Sequence, residues 1–228
     1  MAKLSQLDFV FKGQSQSEHA FVIMHGYGAS MHDLAPIGEW MEQTVGGAWY
    51  FLQAPLEVAL GPYMSGRAWF EIDMMKLQMA SMRGEFASIF ENEVPSGLED
   101  SGEKIVEAIE VIRARHSRLH IGGFSQGSMM AARTALMQPS WFETLTIFSG
   151  VFVTRKIWEE TTRGELSFKT FQSHGRQDPV LPFNEALKLR DFFNEHRHDH
   201  QFVEFVGGHE IPLPVLQQWQ SFLQKAMA

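Results

Sequence analysis

The segment Leu119-His120-Ile121-Gly122-Gly123-Phe124-Ser125-Gln126-Gly127 runs a short apolar strand pattern straight into a helical one, Ser128 to Met137. A strand-to-helix turn this tight calls for glycine two residues to either side of the serine, because a Cβ at either place would collide with neighbouring backbone. The strain of the turn lifts the serine hydroxyl above the sheet. With 17 serines and 19 glycines in 228 residues, G-x-S-x-G is expected ~0.12 times by chance. The pentapeptide therefore draws its weight from what surrounds it.

Short strand candidates, Trp49 to Leu52, Leu119 to Phe124, Thr144 to Phe148, Phe168 to Ser173 and Gln201 to Val206, alternate with helical patterns. That alternation predicts an α/β fold with a mostly parallel central sheet and helices on both faces. Leu98, Ile105, Ile109 and Ile112 make one helical stripe after the breaker Pro95-Ser96-Gly97, and Val215, Leu216, Trp219, Phe222 and Leu223 make another after Pro212 and Pro214. At the start of the chain, Leu7 to Phe11 and Ala20 to Met24 flank the polar Gly13 to Glu18 and read as a hairpin. Between Gly61 and Val94 the period is lost. Met64, Met74, Met75, Met79 and Met82 gather there with Trp69, Phe70, Phe86 and Phe90, as a short insertion or lid. No linker or repeat divides the chain, so residues 1–228 are expected to form a single domain.

Composition narrows the chemistry. A formal charge of -8 with no basic run gives no footprint for nucleic acid. There is no cysteine, so a covalent nucleophile must be a hydroxyl, amine or carboxylate. No apolar stretch approaches a membrane span or a signal sequence, and a cytoplasmic protein is the simplest expectation.

A serine is a poor nucleophile at neutral pH unless a histidine takes its proton, and that histidine needs a carboxylate to fix its tautomer. After the strand Phe168 to Ser173, the turn His174-Gly175-Arg176-Gln177-Asp178-Pro179 carries Asp178. After Gln201 to Val206, the loop Gly207-Gly208-His209-Glu210 carries His209. The order Ser125, Asp178, His209 follows the α/β-hydrolase pattern, with each group at the C-terminal end of a strand, where such sheets hold their ligands. His174, before a glycine at a strand end, reads as a packed turn residue. The cluster His196-Arg197-His198-Asp199-His200 reads as a solvated loop, since Arg197 inside it discourages a cation, and no metal is expected.

Acyl transfer puts negative charge on the former carbonyl oxygen, which preorganised backbone N–H groups stabilise. Gln126, directly after the serine, should supply one. The loop Met24-His25-Gly26-Tyr27-Gly28 should supply the other from Tyr27, with His25 as a buried structural residue.

These residues resemble the phospholipase/carboxylesterase family of small α/β-hydrolases. The resemblance is carried by Met24-His25-Gly26-Tyr27-Gly28 with Asp33-Leu34, by Ala68-Trp69-Phe70-Glu71-Ile72, by Gly123-Phe124-Ser125-Gln126-Gly127, and by His174-Gly175, Asp178-Pro179 and Gly208-His209. It implies hydrolysis of carboxylic esters without a cofactor, a small-molecule ester or acyl substrate, and the option of a homodimer. By position it makes Ser125 the nucleophile, Asp178 the acid and His209 the base, with Tyr27 and Gln126 at the oxyanion hole. Ala29-Ser30 and Ser128 depart from the thioesterase pattern, and Glu71 stands where the family often has aspartate; these differences leave the triad untouched and bear on substrate. Thioesterase or lysophospholipase activity is the alternative within the family, and a catalytically silent binding protein the alternative outside it. Trp69, Phe70 and Met64 are candidates for an apolar acyl pocket, with ordinary core packing as the competing reading of the same segment.

Overall fold

The computed structural model describes residues 3–83, 94–162, 166–196 and 199–228. Eight strands form one sheet in the order β1-β2-β4-β3-β7-β8-β9-β10: β1 (Lys3–Leu4), β2 (Leu7–Gly13), β3 (His19–Met24), β4 (Ala48–Leu52), β7 (Arg118–Phe124), β8 (Phe142–Phe148), β9 (Lys169–Gly175) and β10 (His200–Phe205). From β4 to β10 every pairing is parallel, while β1 and β2 join antiparallel at one edge. A separate hairpin of β5 (Leu56–Gly61) and β6 (Met64–Ala68) stands beside it.

The central strands are apolar on both faces because both are covered. On one face, Ile105, Ile109 and Ile112 of α3 (Leu98–Arg113), Ala131 and Ala135 of α4 (Gln126–Met137), Trp158 of α5 (Arg155–Thr161) and Phe192 of α6 (Phe183–Glu195) pack on Val22, Ile121 and Ile147. On the other, Met41 of α1 (Ala35–Thr44) and Val215, Trp219, Phe222 and Leu223 of α7 (Leu213–Met227) pack on Phe21, Trp49, Phe148 and Phe171. Each Val, Leu, Ile, Met or Phe among them contributes about 1.5–3 kcal/mol when fully buried. Both stripes read from sequence are thus core faces.

The expected hairpin of the first two long strands is not formed: β4 lies between β2 and β3, pairing antiparallel with the first and parallel with the second. All five residues of Ala48–Leu52 are buried, whereas β2 is only partly covered. The fully apolar strand takes the interior place and leaves β2 outside it. The polar connection crosses two strand spacings, about 10 Å, and is pinned where the Gln14 N–H donates to the Gly47 carbonyl.

The region from Gly61 to Val94 is more regular than its lost period suggested. It contains β6 and α2 (Met74–Arg83). Residues 84–93, with Phe86 and Phe90, lie outside the described residues. The hairpin escapes periodicity because β5 and β6 are mostly exposed, so no apolar alternation is imposed on them.

Candidate active site

The parallel strands end together at one edge of the sheet, bringing the loops after β3, β7, β9 and β10 side by side. Ser125 sits between β7 and α4 at φ 53°, ψ −122°, a conformation that costs a non-glycine residue on the order of 1–3 kcal/mol. Its N–H donates to the Phe148 carbonyl at 2.8 Å, and its own carbonyl accepts from the Ser128 hydroxyl at 2.7 Å. A Cβ on Gly127 would fall 2.2 Å from the Met24 carbonyl oxygen, and one on Gly123 would lie 2.5 Å from the Gly127 carbonyl carbon. The glycine spacing is therefore a packing requirement where β7, α4 and the end of β3 meet.

Asp178 follows β9, with its carboxylate fully enclosed. Oδ1 accepts the N–H groups of Val180 and Leu181 at 2.8 and 2.9 Å, and Oδ2 pairs with His209 Nδ1 at 2.7 Å. Burial by itself would raise this carboxyl, but the His209 bond and charge together with the two amides hold it below its ordinary value. An ionised Asp178 fixes the His209 proton on Nδ1 and leaves Nε2 as the acceptor. The His209 ring lies 4.8 Å from that of Phe124, the residue before the serine. The structure thus brings the Asp–His pair against the turn that carries Ser125.

His174, at the end of β9, is fully buried and points back under this pair. Its Nε2 is 2.9 Å from the Leu181 carbonyl and 3.3 Å from Asp178 Oδ2. Burial lowers its pKa, so it is neutral and donates from Nε2. His196 bonds the Phe192 carbonyl at the end of α6, and His200 opens β10. Arg197 and His198 lie outside the described residues, among which no cluster of three or more ligating side chains is arranged for a metal.

The loop after β3 abuts the serine: a Cβ on Gly26 would lie 3.3 Å from that of Ser125. Neither the Tyr27 nor the Gln126 N–H donates to a protein acceptor among the described residues. The Gln126 amide opens α4, whose N-terminal dipole adds to the attraction for an anion. His25 is buried and serves the loop, with Nδ1 2.8 Å from the Gly26 carbonyl and Nε2 accepting the Ala54 N–H at 3.2 Å. Burial lowers its pKa as well.

Of the residues named for the acyl pocket, Trp69 and Phe70 are wholly buried beneath the loop after β3, and Met64 is 66% exposed on the hairpin. These two aromatics follow the core reading. Two methionines of the segment differ: Met74 and Met75, with Leu77 and Gln78, face Pro179 and Val180 across a cavity of about 360 Å³. Pro179 directly follows Asp178. Sequence alone did not mark Val180 and Leu181 as the amides that hold Asp178, although a proline after an acidic residue at a strand end hints at such a turn.

Fold and site together define an α/β-hydrolase with its polar groups at the C-terminal edge of the sheet. Residues 6–227 match the phospholipase/carboxylesterase family, and the chain belongs to it. It is 25% identical over 216 residues to acyl-protein thioesterase 1 of Eremothecium gossypii, covering 91% of this chain and 88% of that one. Among solved structures it resembles esterase PE8, with a TM-score of 0.80 at 21% identity over 96% and 99% of the two chains. It also resembles Zea mays acyl-protein thioesterase 2, with a TM-score of 0.74 at 15% identity over 98% and 99%. At these identities the structural likeness is one of fold.

Proposed function

We propose that this chain hydrolyses carboxylic esters through an acyl-enzyme on Ser125, as a single cytoplasmic domain that needs no cofactor. The observation that carries the proposal is the Asp178–His209 bond set against the strained serine turn. Ser125 Oγ attacks the ester carbonyl while His209 Nε2 takes the hydroxyl proton. The tetrahedral oxyanion lies against the Tyr27 and Gln126 amides. Its collapse breaks the bond to the alkoxide, which leaves as the alcohol with the proton from His209. Water then attacks the acyl-enzyme by the same route, and Ser125 recovers its proton. The apolar cavity between α2 and Pro179-Val180 suits the acyl chain.

Thioester hydrolysis is the second reading, favoured by relatives named acyl-protein thioesterase 1. It needs the same groups, since only the leaving atom changes. A fluorophosphonate probe should label the folded protein once, at Ser125, and Ser125→Ala should lose both label and turnover. Label on another serine would remove the assignment. A panel of p-nitrophenyl esters, one thioester and one lysophospholipid then ranks the substrates.

A further inference from the structure

The Gln126 side chain is almost completely buried, at 1% exposure, and touches no open surface. Its Oε1 accepts the Trp69 N–H at 2.8 Å, and its Nε2 donates to the Phe70 carbonyl at 2.7 Å. Both partners belong to the segment that continues β6. Two residues earlier, the same segment bonds the other half of the site. The Gly28 N–H donates to the Arg67 carbonyl at 2.8 Å, and the Arg67 N–H donates to the Ala29 carbonyl at 3.0 Å. The indole N–H of Trp69 also reaches the His25 carbonyl at 2.9 Å. Residues 67–70 are thus bonded to the Tyr27 loop through Arg67 and Trp69, and to the start of α4 through Gln126.

The geometry points to the Gln126 carboxamide as a positioning residue that fixes the two oxyanion amides relative to one another by clasping the Trp69–Phe70 backbone. This inference rests on the acyl-enzyme reading of Ser125. Its physical basis is that each donor is set by its own element. The Ser125 carbonyl accepts the Ser128 hydroxyl and the Ser128 and Met129 N–H groups, so the direction of the Gln126 N–H follows the start of α4, whereas that of Tyr27 follows the loop after β3. Anchored at both its oxygen and its nitrogen, the Gln126 carboxamide ties the start of α4 to the segment that holds this loop through Gly28 and Ala29, so the two donors are set relative to one another before substrate arrives.

Gln126→Met keeps the length and apolar stem of the side chain but bonds neither backbone atom, and leaves the backbone N–H in place. Misaimed donors should lower kcat about 10- to 100-fold, with KM little changed. The inhibition constant of an alkyl boronic acid, whose tetrahedral adduct places an oxygen in the hole, should weaken by a comparable factor. Gln126→Glu, of the same shape but unable to donate to the Phe70 carbonyl when ionised, should lose activity in the same way. If Gln126→Met does not fold, Gln126→Asn carries the comparison, since it keeps the carboxamide but is too short to reach both atoms. A lowered melting temperature with parental kcat and boronate affinity in the folded fraction would show a purely structural bond and overturn the inference. Ser125→Ala separates the two levels: if it stays active, the nucleophile assignment fails. If it is inactive while Gln126→Met turns over at the parental rate, only the clasp fails.

Discussion

Replacing Asp178 by asparagine tests how the acid works, because the structure dictates which way the amide must turn. The carboxylate uses both oxygens: Oδ1 accepts two backbone N–H groups at 2.8 and 2.9 Å, and Oδ2 accepts His209 at 2.7 Å. Asparagine has one oxygen for three donors. Two fixed amides, each worth about 0.5–1.5 kcal/mol, outweigh one mobile ring, so the oxygen stays with Val180 and Leu181. The NH2 group then faces His209, which must present an unprotonated Nδ1 and so carries its proton on Nε2. That tautomer cannot accept the serine proton. The expected loss in kcat is about 10⁴-fold, or ~5.5 kcal/mol of transition-state stabilisation. The NH2 group also faces the His174 Nε2–H, which lies 3.3 Å from Oδ2, so folding stability should fall by about 1–3 kcal/mol. Hydrolysis of a short p-nitrophenyl ester, with chemical denaturation of the same samples, measures both. Asp178 is held below its ordinary value of 3.8. Its ionised form therefore contributes stability that is present above that value and is lost as pH falls below it, a dependence the asparagine variant should lack. Folded Asp178→Asn with kcat within tenfold of the parent would refute the tautomer argument.

At the opposite end of the sheet, His120 is buried with Nε2 2.9 Å from His19 Nδ1 and Nδ1 2.9 Å from Thr144 Oγ1. Burial, aided by His19 and Arg118, pushes its pKa down to about 3. The unfolded chain takes up that proton near 6.5 and the folded one does not, so stability should fall as pH drops below 6.5, with a slope approaching ~1.4 kcal/mol per pH unit. His120→Gln should flatten the slope of denaturant stability between pH 6.5 and 4.5, and parallel curves would refute the assignment. In the segment before α3, Trp69→Ala should cost about 3–5 kcal/mol of stability, because the indole is wholly buried. Met74→Ala combined with Met75→Ala should leave stability near the parent's and shift kcat/KM from long toward short acyl chains, since each methylene in an apolar cavity is worth up to ~0.8 kcal/mol. An unchanged chain-length profile across a p-nitrophenyl ester series would remove α2 from the acyl site.

What was legible in the sequence follows from where each signal is encoded. Ser125 stood out because Gly123 and Gly127 answer to a local clash, and Asp178 and His209 stood out because each lies in the loop that follows a strand. Strand order was less legible: Ala48–Leu52 shows by its composition that it is buried, but nothing in Leu7–Gly13 says that another strand will come between it and β3. Gln126 illustrates the limit, for its partners lie 57 and 56 residues away and only the topology brings them together. The segment around Trp69 was ambiguous for a related reason. Its aromatics and methionines are equally apolar on paper, and composition does not distinguish a core residue from a cavity wall. In the fold they separate by element. Trp69 and Phe70 continue β6 and are held by the Gln126 carboxamide beneath the loop after β3, whereas Met74 and Met75 begin a helix that faces the turn carrying Asp178. A change in the first pair should therefore reach chemistry through the position of the amides and a change in the second through the fit of the acyl chain, which makes the two effects separable as kcat and as chain-length preference.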